Sequence, residues 1–212
     1  MTASPPLVRL RGVEYRFGAT RALEGLDLDL HAGATYGLLG NNGAGKTTAI
    51  HAILGLLRPP TGTVEVFGED PWRRRLRVLR RVGYFPEASD PYEWMTLRQL
   101  FRLGERTFAT WSRDRCRELC STFDLDLGQR FGVLSRGRAA KAKLVFALAR
   151  EPELLVLDEP TGGLDPGSRQ ELLDWIARAT ADRFAILDRG SKVAEGDMGE
   201  LDDTLIKSYL TV

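Results

Sequence analysis

The order of apolar and polar residues along this chain predicts strands in its first part. Apolar and polar residues alternate in LVRLRGVEYRF (residues 7–17) and in LEGLDLDLHAG (residues 23–33), with a turn at Gly18 between them. The compact apolar run ATYGLL (residues 34–39) predicts a buried strand, and TGTVEVFG (residues 61–68) predicts a turn followed by another strand. The chain therefore begins as a β-rich region.

Helical spacing of the apolar residues takes over after this region. KTTAIHAILGLL has this spacing from Lys46 onwards and stops before Pro59 and Pro60. From about residue 70 to residue 150 the patterns are mostly helical, with predicted helices at residues 97–108, 112–123 and 138–150.

Strand patterns return near the end of the chain. LLVLDEP (residues 154–160) predicts a buried strand and SRQELLDWIARA (residues 168–179) a helix. RFAILD (residues 183–188) then predicts a strand that turns at Arg189 and Gly190 into a closing strand. These elements indicate an α/β core interrupted by a mostly helical insert.

Composition and charge exclude several classes of function. The 212 residues are 43% hydrophobic and 28% charged, an ordinary globular balance. The net charge of +1 gives no bulk attraction to nucleic acid, so we expect no direct nucleic-acid partner. No segment approaches the ~20 apolar residues that span a bilayer. The first residues, MTASPPLVRL, do not resemble an export signal. We therefore expect any membrane part to come from another subunit.

The two cysteines, Cys116 and Cys120, lie four residues apart on one predicted helix. A metal site would need two further ligands nearby, and the histidines, His31 and His51, are distant in sequence. We expect free thiols in a helical core, in a reducing compartment.

An arginine-rich segment, PWRRRLRVLRR (residues 71–81), allows two interpretations. The arginines are typical of a phosphate-contacting patch. Leu76, Val78 and Leu79 instead indicate an amphipathic helix. A solvated helix face is the favoured interpretation.

GNNGAGKT (residues 40–47) fits the pattern G-x-x-x-x-G-K-[ST] at every fixed position. Glycines let backbone N–H groups turn inward around phosphate oxygens, and the helix that follows directs its positive end to the same place. Lys46 would reach the β- and γ-phosphates, and the Thr47 hydroxyl would join the Mg²⁺ shell. Because the motif lies between a predicted strand and a predicted helix, an ordinary glycine-rich turn is the disfavoured alternative.

LLVLDEP places two acidic residues at the carboxyl end of a predicted buried strand, where nucleotide sites of parallel sheets lie. Asp158 would hold Mg²⁺ through water, and Glu159 would polarise the attacking water. Alternatively, the two acids would only cap the next element.

LSRG (residues 134–137) is by itself a short polar turn before a helix. Ser135 would then be the N-cap of RAAKAKLVFALAR. LSRG also lies about twenty residues before LVLDE. This spacing gives Ser135 a second interpretation as a binding residue, which follows from the family resemblance described next.

Five motifs follow one another along the chain: GNNGAGKT, GYFPE, LSRG, LLVLDEP and GGLDP. Their order resembles that in the ATP-binding subunits of ABC transporters, and the resemblance runs from about Leu7 to Gly199. YFPEASDPYEWMTLRQL (residues 84–100) is most similar to the ATPases that serve ABC-2-type exporters. The resemblance implies an α/β fold with a P-loop NTPase core, an N-terminal antiparallel β-subdomain and an inserted helical subdomain. It implies one ABC ATPase domain, with the core at residues 1–86 and 151–212 and the helical subdomain at residues 87–150.

The resemblance also assigns roles to individual residues. Phe17 takes the aromatic position that stacks on adenine, with Tyr15 as the alternative. Glu87 stands where most of the family has a glutamine that senses Mg²⁺ and couples to the membrane subunit, and Arg138 replaces the usual glutamine after the LSRG glycine. The phosphates and Mg²⁺ would be held by Asn41, Asn42, Gly43, Ala44, Gly45, Lys46, Thr47 and Thr48, with Thr47, Glu87 and Asp158 as the metal ligands.

ATP would act between two subunits in such a protein. Ser135 and Gly137 would contact the γ-phosphate of ATP bound to the opposite subunit, and Asp165 in GGLDP would join the dimer contact. The implied partners are a second ATPase subunit, identical or different, and a transmembrane permease. The implied place is cytoplasmic, peripheral on the inner face of the cell membrane.

One departure from the family lies after GGLDP. The family has a further strand that ends in a histidine contacting the γ-phosphate, followed by a helix. Here RQELLDWIARAT runs directly into ADRFAILDRG, and no histidine follows His51. The missing strand would lie between those bearing GNNGAGKT and LLVLDE, so its loss would leave unpaired backbone groups. The favoured explanation is that the sequence omits residues between Thr180 and Ala181, and a true deletion is the alternative.

The departure leaves two functional hypotheses. The leading one is a dimerising ATPase that powers a separate transmembrane exporter. Its alternative is a degenerate ABC domain that binds nucleotide but hydrolyses it poorly. ABC proteins of translation or DNA repair usually carry two ATPase domains or a long coiled-coil insertion, and 212 residues leave no room for either.

Overall fold

The computed structural model describes residues 5–34, 36–86, 93–168, 172 and 183–197. The chain forms two compact units. Unit 1 comprises Met1–Val78 and Ala179–Val212, and unit 2 comprises Leu79–Arg178. In chain order the elements are β1 (Val8–Phe17), β2 (Thr20–Leu30), β3 (Tyr36–Leu39), α1 (Lys46–Ile53), β4 (Thr61–Val66), α2 (Arg75–Arg80), β5 (Val82–Phe85), α3 (Leu97–Thr107), α4 (Arg113–Thr122), α5 (Arg136–Leu148), β6 (Leu154–Leu157), β7 (Arg183–Asp188) and β8 (Ser191–Asp197).

An antiparallel sheet of order β2-β1-β4 opens unit 1. Val8 of β1 lies opposite Leu30 of β2 on one side and opposite Val66 of β4 on the other. Val8, Leu10 and Val13 are fully buried. The apolar positions of the alternating pattern in β1 therefore form its buried face. The N-terminal antiparallel β-subdomain is thereby confirmed.

The second sheet of unit 1 has the order β3-β7-β8. β3 and β7 are parallel and pair over the full length of β3, from Tyr36 opposite Arg183 to Leu39 opposite Ile186. β7 turns at Arg189 and Gly190 into the antiparallel β8, as predicted. In the described part of the chain no strand pairs with the other edge of β3, whose four residues are only half-buried.

Helix α1 is shorter than its sequence pattern predicts. It ends at Ile53 rather than just before Pro59, because Gly55 adopts a φ of 63° and the N–H of Leu56 turns back to the carbonyl oxygen of His51. This left-handed glycine is a common way for helices to end.

Unit 2 combines a two-stranded parallel sheet with three longer helices. β5 and β6 pair from Val82 opposite Leu154 to Phe85 opposite Leu157. The residues of β6 are half-buried, and the described residues contribute no strand to its other edge. The core of this unit packs residues of α3, α4 and α5, among them Leu97, Phe101, Leu119 and Leu144.

The starts of the three helices follow their sequence signals. Thr96 and Gln99 form a reciprocal capping box at α3, and the Ser112 hydroxyl caps α4. α5 begins at Arg136, because the Ser135 Oγ accepts from the N–H of Arg138. Within the described residues no helix is long and apolar enough to cross a membrane.

Cys116 and Cys120 are buried in the core of unit 2, as expected for core thiols. The Cys116 thiol is held to Cys120 by a side-chain hydrogen bond, which together with burial raises the pKa of Cys116. The same hydrogen bond lowers the pKa of Cys120. At most 8% of either residue is exposed, which limits the reaction of both thiols with solutes.

Two predictions fall outside the described residues. They are most of the helix predicted at residues 168–179 and the junction between Thr180 and Ala181. The proposed division at residues 87 and 150 stays a prediction.

Candidate nucleotide-binding site

The loop Gly40–Thr47 follows β3 in unit 1 and includes Lys46 and Thr47, the first two residues of α1, as the sequence predicts. Gly45 is the N-cap of α1, with φ 97° and ψ 4°, and no side chain caps the helix. The first N–H groups of an α-helix lack intrahelical acceptors, and the helix end carries partial positive charge. This end of α1 is therefore suited to bind an anion.

Two glycines of the loop are required by close backbone neighbours. A Cβ at Gly40, where φ is 146°, would overlap the carbonyl oxygen of Leu187 in β7. A Cβ at Gly45 would overlap the carbonyl oxygen of Ala22 in β2. Gly43 also has a positive φ, of 82°, but an added Cβ would have no atom within 4 Å. Gly40 and Gly45 thus fit the loop into unit 1, whereas the tip at Gly43 faces open space.

A third contact supports the loop from the β7–β8 turn. The N–H of Gly190 donates to the carbonyl oxygen of Ala44 at 3.1 Å, and the carbonyl of Gly190 accepts from the N–H of Glu24 at 2.9 Å. The sequence predicts a turn at Gly190 but does not predict this support. Its only signal was the glycine itself, whose φ of 84° suits a turn.

Lys46 lies within the loop and is half-buried. Its Nζ donates to the carbonyl oxygens of Gly40 at 2.7 Å and Asn41 at 3.1 Å. Since an ammonium group has three donors, one remains beyond these two bonds. The loop therefore holds the lysine near the N-terminus of α1 with its charge available to an anion.

Phe17 ends β1 with 55% of its surface exposed. Its ring meets the Tyr15 ring edge-on, with centroids 4.9 Å apart. Both aromatic candidates for adenine stacking therefore lie at the same end of the sheet, and Phe17 offers the exposed face.

Asp158 directly follows β6 and is buried, with 3% of its surface exposed. Its N–H donates to the carbonyl oxygen of Phe85, which extends the pairing of β5 and β6 by one residue. Glu159 is exposed and adopts a left-handed conformation with φ 46°. Such strain in a non-glycine residue is concentrated at functional sites. The turn continues with a hydrogen bond from Gly162 N to Glu159 O.

The LSRG segment lies at the start of α5 in unit 2. The hydroxyl of Ser135 acts as the N-cap, the first of its two predicted roles. Gly137 is buried and packed so closely that an added Cβ would clash with Ser168 Oγ. Arg138, the departure from the family, is exposed and lies 3.7 Å from Asp124.

GGLDP folds against the same helix start. The carboxylate of Asp165 accepts from the N–H of Ser168 at 3.0 Å, and this bonding to Ser168 lowers the pKa of Asp165. Arg136 donates to the carbonyl oxygen of Gly163 at 3.3 Å, a contact that the sequence does not predict. A groove of about 200 Å³ in this unit is lined by Phe85, Arg136, Ala139, Ala140, Lys143, Glu159, Pro160, Gly162 and Leu164.

The predicted site residues fall into two groups. Unit 1 holds Phe17 and residues 41–48, and unit 2 holds Ser135, Gly137, Asp158, Glu159 and Asp165. In unit 2, LSRG and GGLDP lie together although they are distant in sequence, since Arg136 donates to the carbonyl oxygen of Gly163. Glu87, the third predicted metal ligand, lies outside the described residues.

This chain is similar in sequence and in fold to known proteins. The sequence profile of the family described as "ABC transporter" matches residues 23–162. The daunorubicin/doxorubicin resistance ATP-binding protein DrrA of Streptomyces peucetius is 35% identical over 227 residues, covering 96% of this chain and 69% of the relative. The Nod factor export ATP-binding protein I of Burkholderia lata is 34% identical over 213 residues, covering 89% of this chain and 70% of the relative. The bacitracin transport ATP-binding protein BcrA of Bacillus licheniformis is 32% identical over 179 residues, covering 84% of this chain and 58% of the relative.

The alignment with DrrA extends over 227 residues although this chain has 212, so DrrA contains positions that this chain lacks. Among solved structures, an ATP-binding subunit of an ABC transporter matches with a TM-score of 0.78 at 26% identity, covering 95% of this chain and 92% of that one. The structure of cbiO1 from Clostridium perfringens matches with a TM-score of 0.79 at 19% identity, covering 97% and 94%, and so shows the shared fold alone. The expected P-loop NTPase fold is confirmed, and the chain belongs to the ABC transporter family as one of its P-loop ATP-hydrolysing, ATP-binding subunits.

Proposed function

We propose that this chain is the motor subunit that binds and hydrolyses ATP to power a separate transmembrane exporter. The observation that carries the proposal is the loop Gly40–Thr47, which holds Lys46 beside the uncapped N-terminus of α1. The relatives named for drug resistance, bacitracin transport and Nod factor export support the exporter class. They lend no support to the alternative of a degenerate domain with poor hydrolysis.

The nucleotide is bound first through its phosphates. Lys46 replaces a bond to a loop carbonyl with charge-assisted bonds to phosphate oxygens. The exposed Phe17 stacks on adenine. The backbone of Asn41, Asn42, Gly43, Ala44 and Gly45 surrounds the phosphates together with the side chains of Thr47 and Thr48.

The oxygen donors of Thr47 and Asp158 suit Mg²⁺, which prefers hard oxygen ligands. Asp158 is the buried acidic side chain among the described residues, as expected for a carboxylate that serves a cation. Glu87 completes this proposed set. When bound, Mg²⁺ neutralises phosphate charge during transfer.

Glu159 orients the attacking water and accepts its proton. The exposed carboxylate is held at the start of a tight turn by the left-handed backbone. This backbone conformation fixes the position of the Glu159 Cα and Cβ atoms, while the carboxylate remains exposed to water. A general base contributes roughly 10²–10⁴-fold to such a reaction.

ATP-binding subunits of this family dimerise and pair with transmembrane permeases. For this chain we propose a homodimer, or a heterodimer with another ATPase subunit, in which Ser135, Gly137 and Asp165 face the partner's nucleotide. Attached to a permease, the dimer lies peripherally on the inner face of the cell membrane. The region GYFPEASDPYEWMT (residues 83–96), with its aromatic residues Tyr92 and Trp94, docks a cytoplasmic helix of the permease; Tyr92 lies outside the described residues. Trp94 is 63% exposed, which fits a docking aromatic residue.

The test combines Mg-ATP titration with light scattering on the purified chain. Binding that requires Mg²⁺, and a mass that doubles with ATP, support the proposed motor. Absence of ATP binding overturns it. The permease contact is tested by co-purification from membranes, which the paired changes Glu93→Ala and Trp94→Ala should abolish while ATP binding persists. Co-purification that survives both changes places the contact elsewhere.

A further inference from the structure

Residues 71–78 form a surface segment that the nucleotide site does not use. They comprise a turn and the first four residues of α2, in unit 1. Pro71 and Val78 are buried, and the Asp70 carboxylate accepts from the N–H groups of Trp72 and Arg73 at 2.9 and 3.2 Å. The segment is thus fixed from its inner side, and its outer side chains are not core residues.

Two large apolar side chains project from this segment. Trp72 is 43% exposed and Leu76 is 73% exposed, four residues further on. The Arg75 guanidinium lies 5.9 Å from the centroid of the Trp72 ring. An exposed tryptophan and leucine flanked by arginines are typical of a surface that binds a partner.

The charges around these two side chains are mostly positive. Residues 72–77 include four arginines and no acid. Arg73 and Arg77 have weak, exposed ion pairs with Asp70 at 3.4 Å and Glu69 at 3.9 Å. In the described part of the chain Arg74 and Arg75 have no ion pair. This local excess contrasts with a net charge of only +1 for the whole chain.

We propose that Trp72–Arg77 binds the anionic phospholipid surface of the membrane. Trp72 and Leu76 enter the interfacial region, and the arginines contact lipid phosphates through their guanidinium forks. The inference takes from the proposed function only that the chain works beside a membrane. Its residues are not those of the nucleotide site or of the proposed permease contact at Trp94.

An acidic protein segment is the other class of partner that would satisfy the arginines. The apolar area of this surface comes from only two side chains. It is far smaller than the area of about 800 Å² that each partner buries in a standard protein interface. A bilayer accepts single projecting side chains, and tryptophan is enriched at the headgroup level. The charge and the small apolar area therefore favour lipid.

The first test measures sedimentation of the purified chain with two kinds of vesicle, one of phosphatidylcholine alone and one of equal parts phosphatidylcholine and phosphatidylglycerol. We expect binding only to the anionic vesicles. Each arginine near such a surface adds roughly fivefold to partitioning, so the double change Arg74→Glu and Arg75→Glu should lower binding by more than about tenfold. The matched control is Arg98→Glu with Arg102→Glu, two exposed arginines on α3 that cause the same change in net charge. Equal losses in both variants, or equal binding to both vesicles, overturn the proposal.

The second test asks whether Trp72 enters the bilayer. Brominated phospholipid quenches a tryptophan at membrane depth, and we expect Trp72→Phe to remove most of that quenching although three other tryptophans remain. Quenching that is unchanged in Trp72→Phe contradicts the proposal that Trp72 enters the bilayer. Vesicle binding should survive Lys46→Ala, so a failed nucleotide site and a failed membrane contact give different results. Binding that appears only when the permease is present, and not with vesicles, assigns the surface to a protein partner instead.

Discussion

Nζ of Lys46 donates to the carbonyl oxygen of Gly40 across 2.7 Å, so the loop binds the ammonium group that we propose serves the phosphates. The second bond, to Asn41, joins the lysine to the same end of the loop. The side chain therefore has a defined position before it meets a nucleotide. This lowers the conformational entropy that binding must remove.

Lys46→Ala should weaken ATP binding by about tenfold to a hundredfold, because a hydrogen bond to a charged group is worth about 1.5–3 kcal/mol. Isothermal titration calorimetry with Mg-ATP measures the change. Lys141→Ala is the control, since Lys141 lies on α5, near the ring of Phe123, and not in the loop. Equal ATP affinity in wild type and Lys46→Ala would remove Lys46 from the proposed site.

Glu159→Gln should leave ATP binding intact and lower turnover by roughly 10²–10⁴-fold, the usual range for a lost general base. The substitution keeps the size of the side chain and removes its charge. Phosphate release reports turnover, and light scattering reports whether an ATP-bound dimer accumulates. Turnover at the wild-type rate would assign the water-orienting role to another residue.

Gly45→Ala should destabilise the protein more than Gly43→Ala, although both glycines have positive φ. The left-handed conformation costs an alanine about 1–2 kcal/mol at either position. At Gly45 the new Cβ also overlaps the carbonyl oxygen of Ala22, whereas at Gly43 it meets nothing within 4 Å. Urea unfolding of the two variants measures the difference. Equal losses would show that the contact with Ala22 adds nothing to the backbone strain.

The P-loop was predictable because its information is local: spacing, glycines and the following helix all lie within residues 40–53. Its supports were not predictable, since Leu187 and Gly190 reach the loop from nearly 150 residues away. The parallel pairing of β3 with β7 is equally non-local. Apolar runs predict strands but do not specify their neighbours.

In unit 2, too, local features could be predicted from the sequence and non-local ones could not. The helix starts at Thr96, Ser112 and Ser135 follow from short capping signals. No element was assigned to Val82–Phe85, because four residues show too little alternation to identify a strand. Its pairing with β6 identifies it as one. The strain at Glu159 has no sequence signal, since it arises from the turn that follows β6.

Gly104→Ala should destabilise the helical unit by about 1–3 kcal/mol, the usual cost of overpacking a core. An added Cβ would overlap the Trp111 ring, which is itself packed on Phe146 with ring centroids 5.4 Å apart. Alanine gains up to ~1 kcal/mol in helix propensity over glycine, so the overlap must outweigh that gain. The exposed change Thr107→Ala on the same helix is the control for propensity. A more stable Gly104→Ala protein in urea unfolding would contradict the predicted overlap.

Glu153→Gln should lower stability near neutral pH and lose this effect in acid. Arg81 donates through Nε and Nη2 to the two carboxylate oxygens of Glu153, each at 2.6 Å, and this pairing lowers the pKa of Glu153. A lowered pKa in the folded state means that the pair stabilises the protein above the ordinary glutamate pKa. The stabilisation is lost as the pH falls through the lowered value. Because both side chains are substantially exposed, we expect the pair to stabilise the protein by less than about 1 kcal/mol, or to shift Tm by no more than about 2–4 °C.

Glu151→Gln is the matched control for Glu153→Gln, since Glu151 is exposed and makes no ion pair among the described residues. Thermal unfolding of the three proteins across the acid range measures the difference, which added salt should also reduce. A difference between Glu153→Gln and wild type that persists below both pKa values would mean that Glu153 stabilises β6 through packing and not through its charge.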